Sequence, residues 1–111
     1  MKAEPMELDA RKIRRFAVQL PCLLIDGENT IDGTILNLSA QGCAMTADPV
    51  PAVSSYLSLR IELPDGAAPI AIELAAVRWV SEQRCGVEFI RMSAEMLTRL
   101  RSFVLVLESP H

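Results

Sequence analysis

Four cationic side chains fall within five consecutive positions, Arg11-Lys12-Ile13-Arg14-Arg15. A guanidinium makes paired hydrogen bonds to phosphate oxygens and to the O6/N7 edge of guanine, and it stacks on a base plane; a lysine ammonium does none of these as well. A second polar string, Asn37-Leu38-Ser39-Ala40-Gln41-Gly42, closes a strand-like stretch. Asn37 and Ser39 flank Leu38, so in a strand they point to one side and form a polar platform. Gly42 permits a positive φ or a close backbone approach, and a side chain there would strain the turn or obstruct a base. The chemistry these residues offer is non-covalent capture of an anion and a base.

Other chemistries lack their residues. The only histidine is the terminal His111, and the three cysteines, Cys22, Cys43 and Cys85, form no C-x-x-C pair, so no metal or zinc site is expected. Each cysteine sits in an apolar run and reads as a reduced core residue. No nucleophile stands beside a base and no phosphate-binding loop of the Walker or dinucleotide type is present. The acidic pairs Glu62/Asp65 and Glu82/Glu88 fall in turns or on exposed strand faces. The chain is therefore not read as an enzyme.

The net charge is −3. With so few aromatic residues, this disfavours DNA or RNA as a partner. Positive charge is concentrated at residues 11–15, just after Glu4, Glu7 and Asp9, which suits a small, doubly charged ligand better than a polyanion. No apolar run has the roughly 18 to 20 residues a membrane-crossing helix needs, so membrane insertion is not expected. The charged N-terminus has no signal-peptide core, which points to a cytoplasmic protein.

Hydrophobic periodicity places these strings on elements. Length and composition predict one domain at 10–108 behind a flexible arm at 1–9. Phe16, Val18, Leu20, Cys22 and Leu24 recur every second residue, predicting a strand over 16–25, and a turn at 26–29 leads into a second over 31–38. A short third strand over 43–46 precedes a loop containing Pro49 and Pro51. Leu57, Leu59, Ile61 and Leu63 face one way in a fourth. The fifth, over 70–80, carries a bulge or bend near Ala75-Ala76, and the sixth contains Cys85, Val87 and Phe89. Beyond Arg91 the period lengthens: Ser93 is a helix N-cap, and Met96, Leu97, Leu100, Phe103, Val104 and Leu107 form one stripe. Met45, Met92 and Met96 read as core gap-fillers. The expected fold is a mainly β, six-stranded antiparallel barrel with a C-terminal α-helix.

The pairing of Arg-x-x-x-Arg (Arg11, Arg15) with Asn-x-Ser-x-x-Gly (Asn37, Ser39, Gly42), in this order and ahead of these elements, resembles the signature of PilZ domains, bacterial receptors of cyclic di-GMP. The resemblance implies the same barrel and a nucleotide-binding protein of second-messenger signalling, with cyclic di-GMP as ligand and no cofactor. It makes Arg11 and Arg15 the motif arginines, with Lys12 and Arg14 beside them, and assigns Asn37 and Ser39 to the guanine's polar edge. Many members carry aspartate where Asn37 stands, so here an acceptor is kept and a charge is lost. Ala10 occupies a position where some relatives have a further arginine for a second, intercalated ligand, which favours one ligand molecule. Trp79 is read either as a stacking surface near the ligand or as packing. Leu105 and Val106 lie off the helical stripe and are read either as a homodimer or effector contact or as simple contact with the barrel. A PilZ-like interaction module without nucleotide remains the alternative reading.

Overall fold

The computed structural model describes residues 14–108. Six strands run in chain order: β1 (Phe16–Asp26), β2 (Asn29–Leu38), β3 (Gly42–Ala47), β4 (Tyr56–Ile61), β5 (Ile70–Ser81) and β6 (Arg84–Arg91). One helix, α1 (Ala94–Glu108), follows them. Every strand pairing is antiparallel, and the order β1-β2-β3-β6-β5-β4 closes on itself as a barrel. The expected fold class and element order are those observed. The expected arm at 1–9, and Ala10, Arg11 and Lys12, lie outside the described residues.

Alternation drives β1 and β4. Leu20, Cys22 and Leu24 point inward from β1, and Leu57, Leu59 and Ile61 from β4, while Tyr56 and Arg60 face solvent. The β1–β2 turn is tighter than the four residues anticipated, because Asp26 pairs with Asn29 and only Gly27 and Glu28 remain between the strands. Gly27 takes φ 63°, the left-handed value that a two-residue hairpin requires at its first central position.

The irregularity expected at Ala75-Ala76 is resolved as two separate bulges in β5. Leu57 pairs with Ala75 and Leu59 with Ile72, so β5 carries an extra residue around Glu73-Leu74. Inward-facing positions consequently switch from Ile70 and Ile72 to Ala75 and Val77. Against β6 the register slips twice more, first between Leu74 and Ala75, where β6 holds the extra residue, and then with Val77 opposite Val87 but Trp79 opposite Gly86, which sets Arg78 out of the ladder. These slips aim Arg78 and Trp79 along the outer face of the barrel.

The core is fully apolar at its centre, where Leu24, Ile35, Leu59, Ile61, Ile70 and Ile72 fill the ring. The helix contributes Leu100 as its one fully buried residue, with Met96, Phe103, Val104 and Leu107 packed around it. Leu97, assigned to the same stripe, instead lines an outer groove with Met92. Ser93 caps the helix as anticipated, its Oγ accepting from the Met96 amide at 3.1 Å. Farther along, the Arg99 guanidinium donates to the carbonyls of Ala68 and Pro69, tying α1 to the β4–β5 loop. Among the described residues no helix is long and apolar enough to cross a membrane, and no three His, Cys, Asp or Glu side chains gather as a metal site would require.

All three cysteines are buried free thiols, as read from the sequence. Burial pushes Cys22 up to about 12 and Cys85 up to about 11, and pushes Cys43 higher still; repulsion between thiolates adds to the rise for Cys22 and Cys43. In the unfolded chain thiols lose their protons near pH 8.5. Above that pH the folded protein holds thiol protons that the unfolded chain has released, so stability falls as pH rises toward the folded values; below it these groups contribute no slope. We therefore expect the urea midpoint to decline between about pH 8.5 and 10, where the linkage of these thiols predicts it. Iodoacetamide at pH 8 should leave all three cysteines unmodified by mass spectrometry until denaturant is added; rapid native labelling would contradict the burial.

Candidate ligand-binding site

Asn37 sits near the end of β2, one residue before the fully buried Leu38. A register slip between Ile35 and Asn37 switches the inward set from Ile35 to Leu38 and turns the Asn37 amide outward. Its Oδ1 receives two donors, the Arg15 Nη1 at 3.1 Å and the Ala44 amide at 3.2 Å. Two N–H groups converging on one atom fix that atom as the oxygen. The acceptor that the sequence reading offered to a ligand is thus occupied within the protein, and it holds the Arg15 guanidinium over the end of β2.

Among the described residues, Ser39 is the one buried polar residue, at 1% exposure. Its Oγ accepts from the Gln41 and Gly42 amides, both at 3.1 Å, and donates to the Gly42 carbonyl at 3.2 Å. That carbonyl also accepts from the Ser39 amide at 2.9 Å. The hydroxyl therefore closes its own turn, where the sequence reading had set it beside Asn37 on an open platform. Just after the turn, Gly42 pairs with Glu88 across β3 and β6, and a Cβ on Gly42 would stand 2.3 Å from the Val87 carbonyl oxygen. Close approach of β6, with no positive φ, is what demands glycine here.

Arg15, Ser39, Gly42 and Trp79 line one groove of about 200 Å³. Trp79, 42% exposed, belongs to the same concavity as the motif residues. Its indole lies against the backbone of Gly86, where an added Cβ would meet Nε1 at 2.0 Å. The groove also takes in Gln41, Arg78, Gly86, Val87 and Glu88, none of which the sequence reading assigned. Arg78 and Glu88 are ion-paired along its wall, with Nε and Nη2 of Arg78 at 2.8 and 2.7 Å from Oε1 of Glu88. A signal for this set was present in the β5–β6 hairpin, since Ser81 pairs with Arg84 and brings Arg78 and Trp79 back over Gly86 and Glu88.

Arg14 goes elsewhere. Its guanidinium carbon is 5.6 Å from the Phe16 ring centroid, and its Nη1 is 3.7 Å from Glu108 at the end of α1. That helix has no basic residue in its last turn, so Arg14 supplies the positive charge its C-terminus favours. Arg14 and Arg15 thus diverge, one toward the helix end and one toward the groove.

A wider groove of about 440 Å³ shares Gln41 and Glu88 with the first and adds Arg91 and Arg101. Together they form a continuous concave strip with guanidinium groups along it. A separate depression of about 250 Å³, toward the far end of β2 and β3, contains Asp32 and Asp48 and no cation. Two carboxylates without a counter-charge repel a phosphodiester, so the strip beside Arg15 is the better anion site.

A family model described as PilZ domain matches residues 9–105. Among solved structures, the chain is similar to the Bacillus subtilis inhibitor of motility MotI/DgrA, with a TM-score of 0.75 and 23% identity over 88% of this chain and 50% of that one. It thus spans half the length of that structure. The PilZ domain of CeSA from a cellulose-synthesizing bacterium aligns with a TM-score of 0.68 and 18% identity, covering 86% of this chain and 99% of that one. The PilZ domain of Escherichia coli YcgR, solved with c-di-GMP, aligns with a TM-score of 0.69 and 14% identity over 88% and 91% of the two chains. At these identities the likeness is one of fold. No curated protein matches the chain.

The two glycines of the groove predict opposite outcomes on substitution. Gly42→Ala should destabilise the protein by about 1 to 3 kcal/mol in chemical denaturation, because the atom in the way is backbone and β6 must shift. Gly86→Ala should change stability less but move the emission of the single tryptophan, because the exposed indole swings aside. Unchanged emission in Gly86→Ala would contradict the seating of Trp79.

Proposed function

Because the chain belongs to the PilZ domain family, we propose that it is a receptor for cyclic di-GMP that signals to a partner protein by rearranging its N-terminal segment. The observation carrying this reading is that the Arg15 guanidinium, held by Asn37, shares one groove with Ser39, Gly42 and Trp79. A phosphate accepts the donors of Arg15, a base stacks on the exposed indole, and the turn locked by Ser39 keeps the groove floor still. By the family resemblance Arg11 joins from the segment before Arg15.

Magnitudes support a micromolar ligand. Charge-assisted hydrogen bonds contribute roughly 1.5 to 3 kcal/mol each, and micromolar affinity corresponds to about 8 kcal/mol. Ordering backbone costs about 1 to 2 kcal/mol per residue, so a receptor that had to fix its whole N-terminal segment would lose that gain. Arg15 is already oriented by Asn37 and Arg14 by Glu108, which limits the residues left to order. The Arg14–Glu108 pair is exposed and so contributes little stability, which lets it exchange when the ligand pulls on Arg15. A ligand at the groove would in this way alter the surface around the end of α1, where Val106 is 61% exposed, and a partner reading that surface senses occupancy. The partner is an effector protein or a second copy of this chain, in the cytoplasm.

A second reading has its own observation. Ser39 Oγ is engaged three ways inside its turn and Arg78 is satisfied by Glu88, so much of the groove's polar chemistry is already internally paired. Under that reading the domain is an interaction module that binds no nucleotide. Calorimetric titration with cyclic di-GMP, with cyclic di-AMP and GTP as controls, separates the two. The receptor reading expects saturable heat at a stoichiometry near one and quenching of the single tryptophan. Arg15→Ala should weaken binding at least tenfold while the melting temperature holds, and Arg15→Lys should restore only part of it because the bidentate fork is lost. Flat heats for the wild type would favour the interaction module, and wild-type affinity in Arg15→Ala would remove the arginine from its role.

A further inference from the structure

Resting on the cyclic di-GMP reading, we propose that Glu88, presented by its ion pair with Arg78, is the residue that selects guanine over other bases. A carboxylate is an unexpected lining for an anion groove, since it repels phosphate. Glu88 nevertheless lines both parts of the strip and faces Gly42 directly across β3 and β6. Three features suit it to a base rather than a phosphate.

The first is neutralisation. Arg78 reaches Glu88 with two nitrogens, which offsets the carboxylate's charge toward a phosphate bound near Arg15. The second is free accepting capacity. Both Arg78 contacts fall on Oε1, so Oε2 lies outside the pair, and the Glu88 side chain is 51% exposed. Phosphate carries no proton to donate to such an oxygen. Guanine does: its N1–H and N2–H₂ donors stand side by side with the O6 acceptor. Adenine places an acceptor at N1 and has no amino group at C2, so the same carboxylate would meet a lone pair. The third is the adjacent guanidinium. A donor next to an acceptor, as in Arg78 beside Glu88, is the complement of O6 beside N1–H. The exposed Trp79 indole borders the same groove and gives the base a stacking surface.

Glu88 thus acts as a specificity residue, while Arg15 supplies affinity through the phosphate. The test compares cyclic di-GMP with cyclic di-IMP, whose hypoxanthine lacks only the N2 amino group, and with cyclic di-AMP. Wild-type protein should prefer cyclic di-GMP over cyclic di-IMP by about tenfold. In Glu88→Ala that preference should shrink to within about twofold, with cyclic di-GMP affinity falling further than cyclic di-IMP affinity, because hypoxanthine keeps the N1–H and loses only the N2 donors. Glu88→Gln, which keeps the shape and a neutral acceptor, should fall between them. The melting temperature of each variant verifies folding, and the exposed position makes both substitutions tolerable. Wild-type binding with undiminished preference in Glu88→Ala overturns this inference and leaves the receptor reading intact. Wild-type protein that binds no cyclic dinucleotide overturns both.

Discussion

The groove depends on one hydroxyl. Ser39 Oγ satisfies two amide donors and one carbonyl within the 39–42 turn, in a place almost closed to solvent. Unpaired, the two amides would each cost about 1 to 3 kcal/mol in such a buried position. With them satisfied, the chain can leave β2, reverse, and enter β3 close enough to β6 that only glycine fits at position 42. Gln41 then lends its carbonyl to the Phe89 amide at 2.8 Å, which fastens the turn to β6. Arg15, Asn37, Trp79 and Glu88 are arranged around a floor that this turn holds rigid.

Much of this was legible in the residues. Strict alternation in β1 and β4 specified which side chains face inward, and Ser93 with the longer period after it specified the helix and its start. The polar string at 37–42 also announced itself, because asparagine, serine and glycine at those spacings fit the close of a strand. What the spacing concealed was the direction each group faces. Ser39 was read as presenting its hydroxyl outward, yet the amides two and three residues on are nearer partners than any ligand, and local satisfaction prevails. Asn37 likewise spends its oxygen on Ala44 and Arg15.

Bulges account for the rest. A register slip changes which face a side chain occupies without leaving a mark in composition, and the pairings of β5 slip three times. They carry Arg78 and Trp79 to the outer face, so that a hairpin which reads as an ordinary connection becomes the second wall of the groove. Glu88 was seen in the sequence as an exposed strand carboxylate, and it is one; its meaning comes from Arg78, ten positions earlier, and from Gly42 on another strand. Such three-strand convergence depends on topology and is invisible to any single window of sequence.

Ring closure limits how a partner can approach. A sheet that ends in a free strand offers a row of main-chain donors and acceptors to any extended peptide, which invites both β-augmentation and aggregation. Here β1 is hydrogen-bonded to β2 on one side and to β4 on the other, and the order of strands has no terminus. Among the described residues, the surfaces left for association are side chains, on the outer face of the ring or along α1. Backbone-mediated capture tolerates many peptide sequences, whereas side-chain docking discriminates among them, and a closed ring leaves its strands only the second.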